Sequence, residues 1–179
     1  MKKWEITKSD YVTDKLWLTV RKDSLKLPNG KTIPEYYVLE YPDIATVIAV
    51  TKDKKFVLVR QYRHGIQDIT TELCSGTAKP YENPKETAKR ELAEETGYGN
   101  GHWIENGKLA VHPIALTNYT HNFIAEDVEL ITSPQLEDNE NIEVLLWDVD
   151  DLKENLQRGD IIQPAQACVL WKYLYEHHL

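Results

Sequence analysis

One helix with well-marked ends interrupts a long series of strand-like segments, and this order limits the folds that the chain can adopt. Asn83 is a favourable N-cap, Pro84 suits the first helical position, and Gly97 suits the left-handed residue after a helix. These signals predict a helix over residues 84–96. Strands, one helix, more strands and then helices indicate a single α/β or α+β domain with a mixed sheet.

The strands before this helix differ in their apolar pattern. Residues 44–50, IATVIAV, are continuously apolar and rich in β-branched side chains, which predicts a strand buried on both faces. Residues 55–63 follow a polar turn and are the expected antiparallel partner. Residues 64–82 contain short strand-like pieces that Gly76 and Pro80 are expected to break.

The segments after the helix predict three more strands and two more helices. The strands are KLAVHPIAL, HNFIAEDVELI and NIEVLLWDV, and the helices cover residues 150–157 and 164–177. At the other end of the chain, LWLTVRKD alternates apolar and polar residues and is followed by a Pro-Asn-Gly turn and KTIPEYYVLEY. We therefore expect an N-terminal antiparallel hairpin within residues 1–40 and the main domain over residues 41–179.

Three carboxylates lie on one side of the predicted helix. Glu91 is three residues from Glu94 and four from Glu95, so their side chains project within one turn. Such a cluster repels itself unless a cation is present, and oxygen-rich clusters are what Mg²⁺ or Mn²⁺ requires. Arg90 precedes Glu94 by four residues and is placed to pair with it. From these residues alone, a solvated acidic face with an incidental ion pair remains the alternative.

The charge and composition of the chain disfavour several classes of partner and location. The formal net charge of -8 argues against a general nucleic-acid binder, although bound cations would let an acidic site accept an anionic small molecule. No apolar run approaches the length of a membrane span, and the first residues lack the apolar core of a signal peptide. Cys74 and Cys168 are expected to be buried thiols rather than a disulfide. We expect a cytoplasmic protein with neither membrane nor nucleic acid as a partner.

The residues around the acidic run complete a longer pattern. Gly76 is followed by five residues, Glu82, seven residues, and then REUXEEXGU, where U is a bulky apolar residue and Tyr98 is a loose fit at the last position. This arrangement resembles the GX₅EX₇REUXEEXGU signature of the Nudix hydrolases at every fixed position. The run that starts at LVRQYR resembles the ADP-ribose pyrophosphatase branch of that family.

The resemblance implies a Nudix-type α/β/α sandwich and a metal-dependent pyrophosphohydrolase that uses Mg²⁺, with Mn²⁺ as the alternative. The expected reaction converts ADP-ribose to AMP and ribose 5-phosphate. Other nucleoside diphosphate sugars or dinucleotides are alternatives, among them GDP-mannose, NADH and diadenosine polyphosphate. A non-catalytic Nudix-fold nucleotide-binding module is a third alternative, which the intact acidic cluster disfavours. Many proteins of this branch are homodimers, so residues 1–40 are the expected dimer arm.

The resemblance also implies roles for residues in and before the helix. Expected metal ligands are the three helical carboxylates and a backbone carbonyl: Glu91, Glu94, Glu95 and Ser75. Arg90 would orient a carboxylate, and Glu94 and Arg90 count as catalytic. Gly76, Glu82 and Gly97 would support the turn and the helix. Arg63 would contact phosphates and Glu72 the ribose or adenine, with an ordinary surface arginine as the alternative for Arg63.

Two further regions, around Pro113 and in the loop at residues 133–144, contain candidates for substrate specificity and for the general base. Pro113 lies 16 residues after Gly97, where proline is associated with ADP-ribose specificity in this branch, although the usual SPG sequence is absent. The acidic loop at residues 133–144 supplies three candidates, of which Glu140 best matches a metal ligand and Asp138 the general base, with Glu137 as a rival. A solvated acidic turn is the alternative for this loop. His112 and His121 are expected to be ordinary strand or loop histidines.

Overall fold

The computed structural model describes residues 1–138 and 140–179, and the chain divides into two compact units. The first unit comprises residues 1–42 and 110–119, and the second comprises residues 43–109 and 120–179. Residues on both sides of the predicted helix therefore fold into the second unit, which carries the acidic cluster.

The first unit is built on a three-stranded antiparallel sheet of β1 (Glu5–Lys15), β2 (Leu18–Lys26) and β3 (Thr32–Glu40). The predicted hairpin corresponds to β2 and β3, whose turn places Gly30 at φ 83°, a conformation that favours glycine. Strand β1 extends this hairpin by one strand. Many apolar side chains of this unit are solvent-exposed, including Ile6, Tyr11, Val12, Leu16 and Trp17.

The second unit contains a seven-stranded sheet, and this sheet is mixed, as predicted. Its strands are β4 (Ile44–Thr51), β5 (Phe56–Arg63), β6 (Asp68–Thr77), β7 (Tyr98–Gly99), β8 (His102–Ala110), β9 (Tyr119–Leu130) and β10 (Ile142–Trp147). The order is β10-β5-β6-β4-β9-β7, with β8 paired to β9. Strands β4 and β9 run parallel, whereas β5 pairs antiparallel with β6 and with β10.

Three helices cover the two faces of this sheet: α1 (Pro84–Thr96), α2 (Val149–Arg158) and α3 (Pro164–Glu176). Side chains of β4 alternate between two apolar clusters, as the two-residue period of a strand requires. Ala45 and Val47 share one cluster with Leu92 of α1, whereas Ile48 shares the other with Leu170 of α3. The helix–sheet–helix layering that the resemblance implied is confirmed. No helix in the described part of the chain is long and apolar enough to cross a membrane.

Strand β6 changes partner halfway along its length. Residues 68–73 pair with β5, and residues 74–77 pair with β4. The strand continues through Gly76, so the expected break at this glycine is wrong. Its second half therefore brings Ser75 and Gly76 beside β4, on the part of the sheet that α1 covers.

Two other expectations are also corrected. Residues 111–115, within the predicted strand KLAVHPIAL, form a bend and turn instead, and strand β8 ends at Ala110. Cys74 is buried as expected, but Cys168 is exposed on α3; both are free thiols.

Candidate active site on helix α1

Local capping fixes the ends of α1. The Asn83 side chain accepts a hydrogen bond from the Lys85 backbone N–H, and Gly97 adopts φ 76° while donating its N–H to the Ala93 carbonyl. A side chain at Gly97 would also collide with the Thr132 carbonyl, which lies 2.3 Å from an ideal Cβ position. Leu92 is fully buried in the apolar cluster with β4, so this residue anchors α1 to the sheet.

Arg90 is the centre of the charged cluster. Its Nε and Nη2 donate to the two carboxylate oxygens of Glu82 at 2.9 and 3.0 Å. Its Nη1 donates to Glu91 at 2.7 Å and to Glu94 at 2.9 Å. The Arg90–Glu94 pair expected from the spacing is therefore present. Hydrogen bonds from Arg90 lower the pKa of Glu82 to about 2, so this carboxylate stays charged.

Glu91 lies directly over the backbone of β6. An ideal Cβ added to Gly76 would stand 1.9 Å from Glu91 Cδ, far inside van der Waals contact. Any other residue at Gly76 would displace the Glu91 carboxylate. The glycine is thus required by the close approach of the helix side chain to the strand, not by a turn.

Glu95 is the most buried acid of the helix. Its residue is 5% exposed, and its Oε2 has no hydrogen-bond partner among the described residues. Burial, with a smaller contribution from the charges of Glu91 and Glu140, raises the pKa of Glu95 to about 7, although a hydrogen bond from the Cys74 thiol lowers it in part. A buried carboxylate oxygen without a donor is an unusual and costly feature that a bound cation would remove.

The acidic loop reaches the helix through its backbone and through one of its acids. The Gln135 N–H donates to the Glu94 carbonyl at 2.8 Å, which ties the loop to the end of α1. After burial, which is the largest cause, the negative charge of Glu140 contributes to the raised pKa of both Glu91 and Glu95. Its own Oε2 accepts the backbone N–H of Glu137 at 2.8 Å.

The other two loop candidates stand apart from this cluster. Glu137 and Asp138 are exposed, and no hydrogen bond or ion pair joins their side chains to α1 in the part of the chain that the structure describes. Across residues 1–138 and 140–179, no group of three or more His, Cys, Asp or Glu side chains converges closely enough to hold a metal ion. Instead the Arg90 guanidinium lies between Glu91 and Glu94.

The donor set nevertheless fits a hard divalent cation. Mg²⁺ and Mn²⁺ prefer carboxylate and carbonyl oxygens, and this region contains the unpartnered Glu95 oxygen, Glu91 and Glu140. The raised pKa of Glu91 and Glu95 shows that the site disfavours its own negative charges. A bound cation would relieve that penalty.

Arg63 and Glu72 form a second charged pair in this unit. Arg63 Nε and Nη2 donate to the two Glu72 oxygens at 2.8 and 2.5 Å, and the Thr70 hydroxyl donates to the same carboxylate. Burial raises the pKa of Glu72, but the hydrogen bonds from Arg63 and Thr70 outweigh it and hold the pKa below its ordinary value. Glu72 is fully buried, whereas the Arg63 side chain is 41% exposed. Only Arg63 therefore presents surface to a substrate in this conformation.

The remaining candidates lie elsewhere. Pro113 is exposed in a turn of the first unit, and its role in specificity stays a prediction. His121 pairs with Asp43 at 2.8 Å, as an ordinary strand histidine would. Sequence reasoning missed Gln163 and Gln166 of the α3 region, whose side chains contact Glu72 and the β6 backbone. No local pattern marks them, because their partners lie about ninety residues earlier, Gln166 being 93 residues from Leu73.

Comparison with known proteins identifies the family. The NUDIX domain profile matches residues 41–165, which include all of α1 and β6. The chain belongs to the Nudix family. A second profile, described as the nucleoside diphosphate sugar hydrolase N-terminal domain, matches residues 4–39.

Individual Nudix relatives agree with this assignment. The chain is 29% identical over 146 residues to the ADP-ribose pyrophosphatase of Bacillus subtilis (strain 168), covering 81% of this chain and 78% of the relative. It is 32% identical over 161 residues to the GDP-mannose pyrophosphatase of Salmonella arizonae, covering 84% and 83%. A crystal structure of an ADP compounds hydrolase superposes with a TM-score of 0.84 at 21% identity, covering 99% of this chain and 97% of that one, which shows a shared fold. The chain is a Nudix hydrolase that is similar both to an ADP-ribose pyrophosphatase and to a GDP-mannose pyrophosphatase.

Proposed function

We propose that this Nudix hydrolase cleaves the pyrophosphate bond of a nucleoside diphosphate sugar, with ADP-ribose as the preferred substrate and a divalent cation as cofactor. The products would be AMP and ribose 5-phosphate. The observation that carries the proposal is the acidic surplus around α1, where a buried oxygen of Glu95 has no hydrogen-bond donor among the residues that the structure describes. The N-terminal profile match and the ADP-ribose pyrophosphatase relative support the substrate class.

We propose Glu91, Glu94, Glu95 and Glu140, with the Ser75 carbonyl, as the groups that would hold Mg²⁺ or Mn²⁺. When bound, the cation would neutralise pyrophosphate charge and lower the pKa of a water nucleophile. Arg90 would orient Glu91 and Glu94, because one of its nitrogens donates to both. Gly76 would leave room for the Glu91 carboxylate.

The substrate would be oriented by Arg63. Glu72 occupies its Nε and Nη2, which fixes the plane of the guanidinium and leaves its partly exposed edge for a phosphate oxygen. Glu72 would therefore act through Arg63 rather than by touching the nucleotide. A general base is still required to accept a proton from the attacking water, and Asp138, with Glu137 as rival, is the proposed group. Loop closure over substrate would bring either acid closer than it stands here.

A GDP-mannose hydrolase is the second candidate, since a GDP-mannose pyrophosphatase relative aligns over 84% of this chain. We propose a test with a panel of ADP-ribose, GDP-mannose, NADH, diadenosine polyphosphates and nucleoside triphosphates at saturating Mg²⁺. ADP-ribose is expected to give the highest kcat/KM. A higher kcat/KM for GDP-mannose would select the second candidate, and a higher value for a nucleoside triphosphate would contradict both.

We also propose that the protein is a cytoplasmic homodimer with its first unit as the contact region. The exposed apolar side chains of β1 and β2 support this, since large exposed apolar patches mark interaction sites. Sedimentation of the wild type and of an Ile6→Lys variant tests it: the wild type should sediment as a dimer and the variant as a monomer. Equal masses corresponding to a monomer would contradict the proposal.

A further inference from the structure

Strand β6 needs support at the point where it changes partner. Leu73 is the last of its residues paired with β5, and Cys74 is the first paired with β4. Backbone groups at such a change lose the regular ladder on one edge, yet buried N–H and C=O groups must be hydrogen-bonded. The next two residues are Ser75 and Gly76. A displacement of the backbone at Leu73 and Cys74 would therefore also displace the part of β6 that belongs to the candidate metal site.

The side chain of Gln166 supplies this support. Its Oε1 accepts the Leu73 N–H at 2.7 Å, and its Nε2 lies 3.5 Å from both the Leu73 carbonyl and the Ser75 hydroxyl. A glutamine amide carries one acceptor and two donors, so it pairs with a strand backbone much as a neighbouring strand does. Gln166 is 3% exposed and stands in the first turn of α3, beside Pro164 and packed against the sheet.

The contact lies on the opposite side of the sheet from α1. Val47 and Cys74, which are paired, belong to the apolar cluster of α1, whereas Leu73 belongs to the cluster of α3. Gln166 therefore contacts β6 at Leu73 from the α3 side of the sheet, and Glu91 approaches β6 at Gly76 from the α1 side. Both contacts are made to the segment of β6 from Leu73 to Gly76, which includes the Ser75 carbonyl.

We infer that Gln166 is a positioning residue that sets the geometry of the cation site from the far face of the sheet. It acts through the β6 backbone at Leu73 and Ser75 and touches neither substrate nor cation. The inference rests on the proposed function, because it gives the Ser75 carbonyl a role in cation binding. It predicts that loss of the Gln166 amide weakens cation binding even when no substrate is present.

The test uses Gln166→Met, which keeps the length and apolar stem of the side chain but removes the amide. Affinity for Mn²⁺ is measured on substrate-free protein, and kcat and KM are measured over a range of Mg²⁺ concentrations. Loss of a group that orients metal ligands typically costs about 10- to 100-fold in metal affinity or activity, so a Kd for Mn²⁺ raised by about tenfold or more is expected. The Mg²⁺ concentration needed for half-maximal activity should rise in parallel, with KM for the nucleotide unchanged.

Two further variants keep the result interpretable. Gln166→Glu should recover part of the Mn²⁺ affinity, because a buried carboxyl favours its protonated form, which again offers one donor and one acceptor. Gln157→Met, at an exposed position of α2, is the matched control and should behave as the wild type. Gln166→Glu also serves if Gln166→Met does not fold, and it should then bind Mn²⁺ more weakly than the wild type.

The possible outcomes separate this inference from the proposed function. If the wild type binds Mn²⁺ and hydrolyses its substrate while folded Gln166→Met has unchanged Mn²⁺ affinity, the positioning role is overturned and the proposed function stands. A lower Tm alone, with unchanged Mn²⁺ affinity, likewise overturns it in favour of a merely structural contact. If the wild type binds no Mn²⁺, the cation site and the positioning role both fall.

Discussion

Two charged clusters of the second unit contain the same kinds of side chain and are built differently. In the pair of Arg63 and Glu72, one guanidinium meets one carboxylate, and a hydroxyl completes the hydrogen bonds. In the α1 cluster, the single guanidinium of Arg90 bonds to three carboxylates, those of Glu82, Glu91 and Glu94. Glu95 lies next to the second cluster, and one of its oxygens has no donor within residues 1–138 and 140–179.

The two clusters differ in net charge more than in the lengths of their hydrogen bonds. The first pair is neutral, and the low pKa of Glu72 shows that its charge is well accommodated despite burial. The second cluster carries excess negative charge, and the pKa values of Glu91 and Glu95 are raised first by burial and then by the neighbouring carboxylates, so their charged forms are disfavoured. The balanced pair orients the Arg63 side chain, whereas we propose that a bound cation completes the unbalanced cluster.

Removal of one charge from the unbalanced cluster should give the largest effect. Glu94→Gln keeps the shape of the side chain and is expected to lower kcat by at least about 10²-fold, the lower end for losing a positioned catalytic group. Stability should be unchanged or higher because repulsion among carboxylates is relieved. Glu86→Gln, at an exposed position of the same helix, is the control. Near-normal turnover in Glu94→Gln would rule out the role as a metal ligand.

The loop acids test whether the unbalanced cluster extends beyond the helix. Asp138→Asn is expected to lower kcat by about 10²-fold as the general base, and Glu140→Gln should mainly raise the Mg²⁺ requirement. Glu137→Gln distinguishes the rival base. The measurements are kcat at saturating Mg²⁺ for all three variants and, for Glu140→Gln, the Mg²⁺ concentration that gives half-maximal activity. If none loses more than about tenfold, the loop is not catalytic and the base must be sought on α1.

A substitution in the balanced pair of Arg63 and Glu72 should lower the stability of the protein without changing its affinity for a cation. Glu72→Gln leaves the Arg63 and Thr70 donors poorly satisfied, so the free energy of unfolding is expected to fall by about 1–3 kcal/mol. Denaturant unfolding measures this loss. The control is Glu143→Gln on β10, which removes the exposed ion-pair partner of Arg60, a residue of β5 like Arg63. This variant should change the free energy of unfolding by less than about 1 kcal/mol. Equal losses in the two variants would show that burial of Glu72 is energetically unimportant.

Local signals predicted part of this arrangement, and contacts between distant residues decided the rest. Asn83, Pro84 and Gly97 predicted the bounds of α1, and the apolar residue Leu92 indicated the side of the helix that packs on the sheet. The continuity of β6 through Gly76 was missed because the glycine serves the Glu91 side chain, which lies fifteen residues later. The contact between Gln166 and Leu73 spans 93 residues and leaves no periodic pattern in either segment. Likewise, the full burial of Glu72 depends on the folded sheet.

The smallest expected effect is a pH dependence at the edge of the unbalanced cluster. The pKa of Glu82 is lowered to about 2 by Arg90, from an ordinary value of 4.5 in the unfolded chain. A depressed carboxyl pKa stabilises the fold above about pH 4.5, and the gain is lost as pH falls towards 2. The Tm of wild type should therefore exceed that of Glu82→Gln at neutral pH, and the gap should close in acid. A gap that does not depend on pH would contradict the ion pair with Arg90.

The central claim is that the α1 cluster is incomplete without a cation, whereas the pair of Arg63 and Glu72 is complete. Titration of Mn²⁺ into substrate-free wild type, Glu94→Gln and Glu72→Gln tests this claim most directly. Wild type and Glu72→Gln should bind with similar affinity, and Glu94→Gln should bind about tenfold more weakly or worse, in line with loss of a group that holds a metal. No binding by wild type, or equal binding by wild type and Glu94→Gln, would contradict the account.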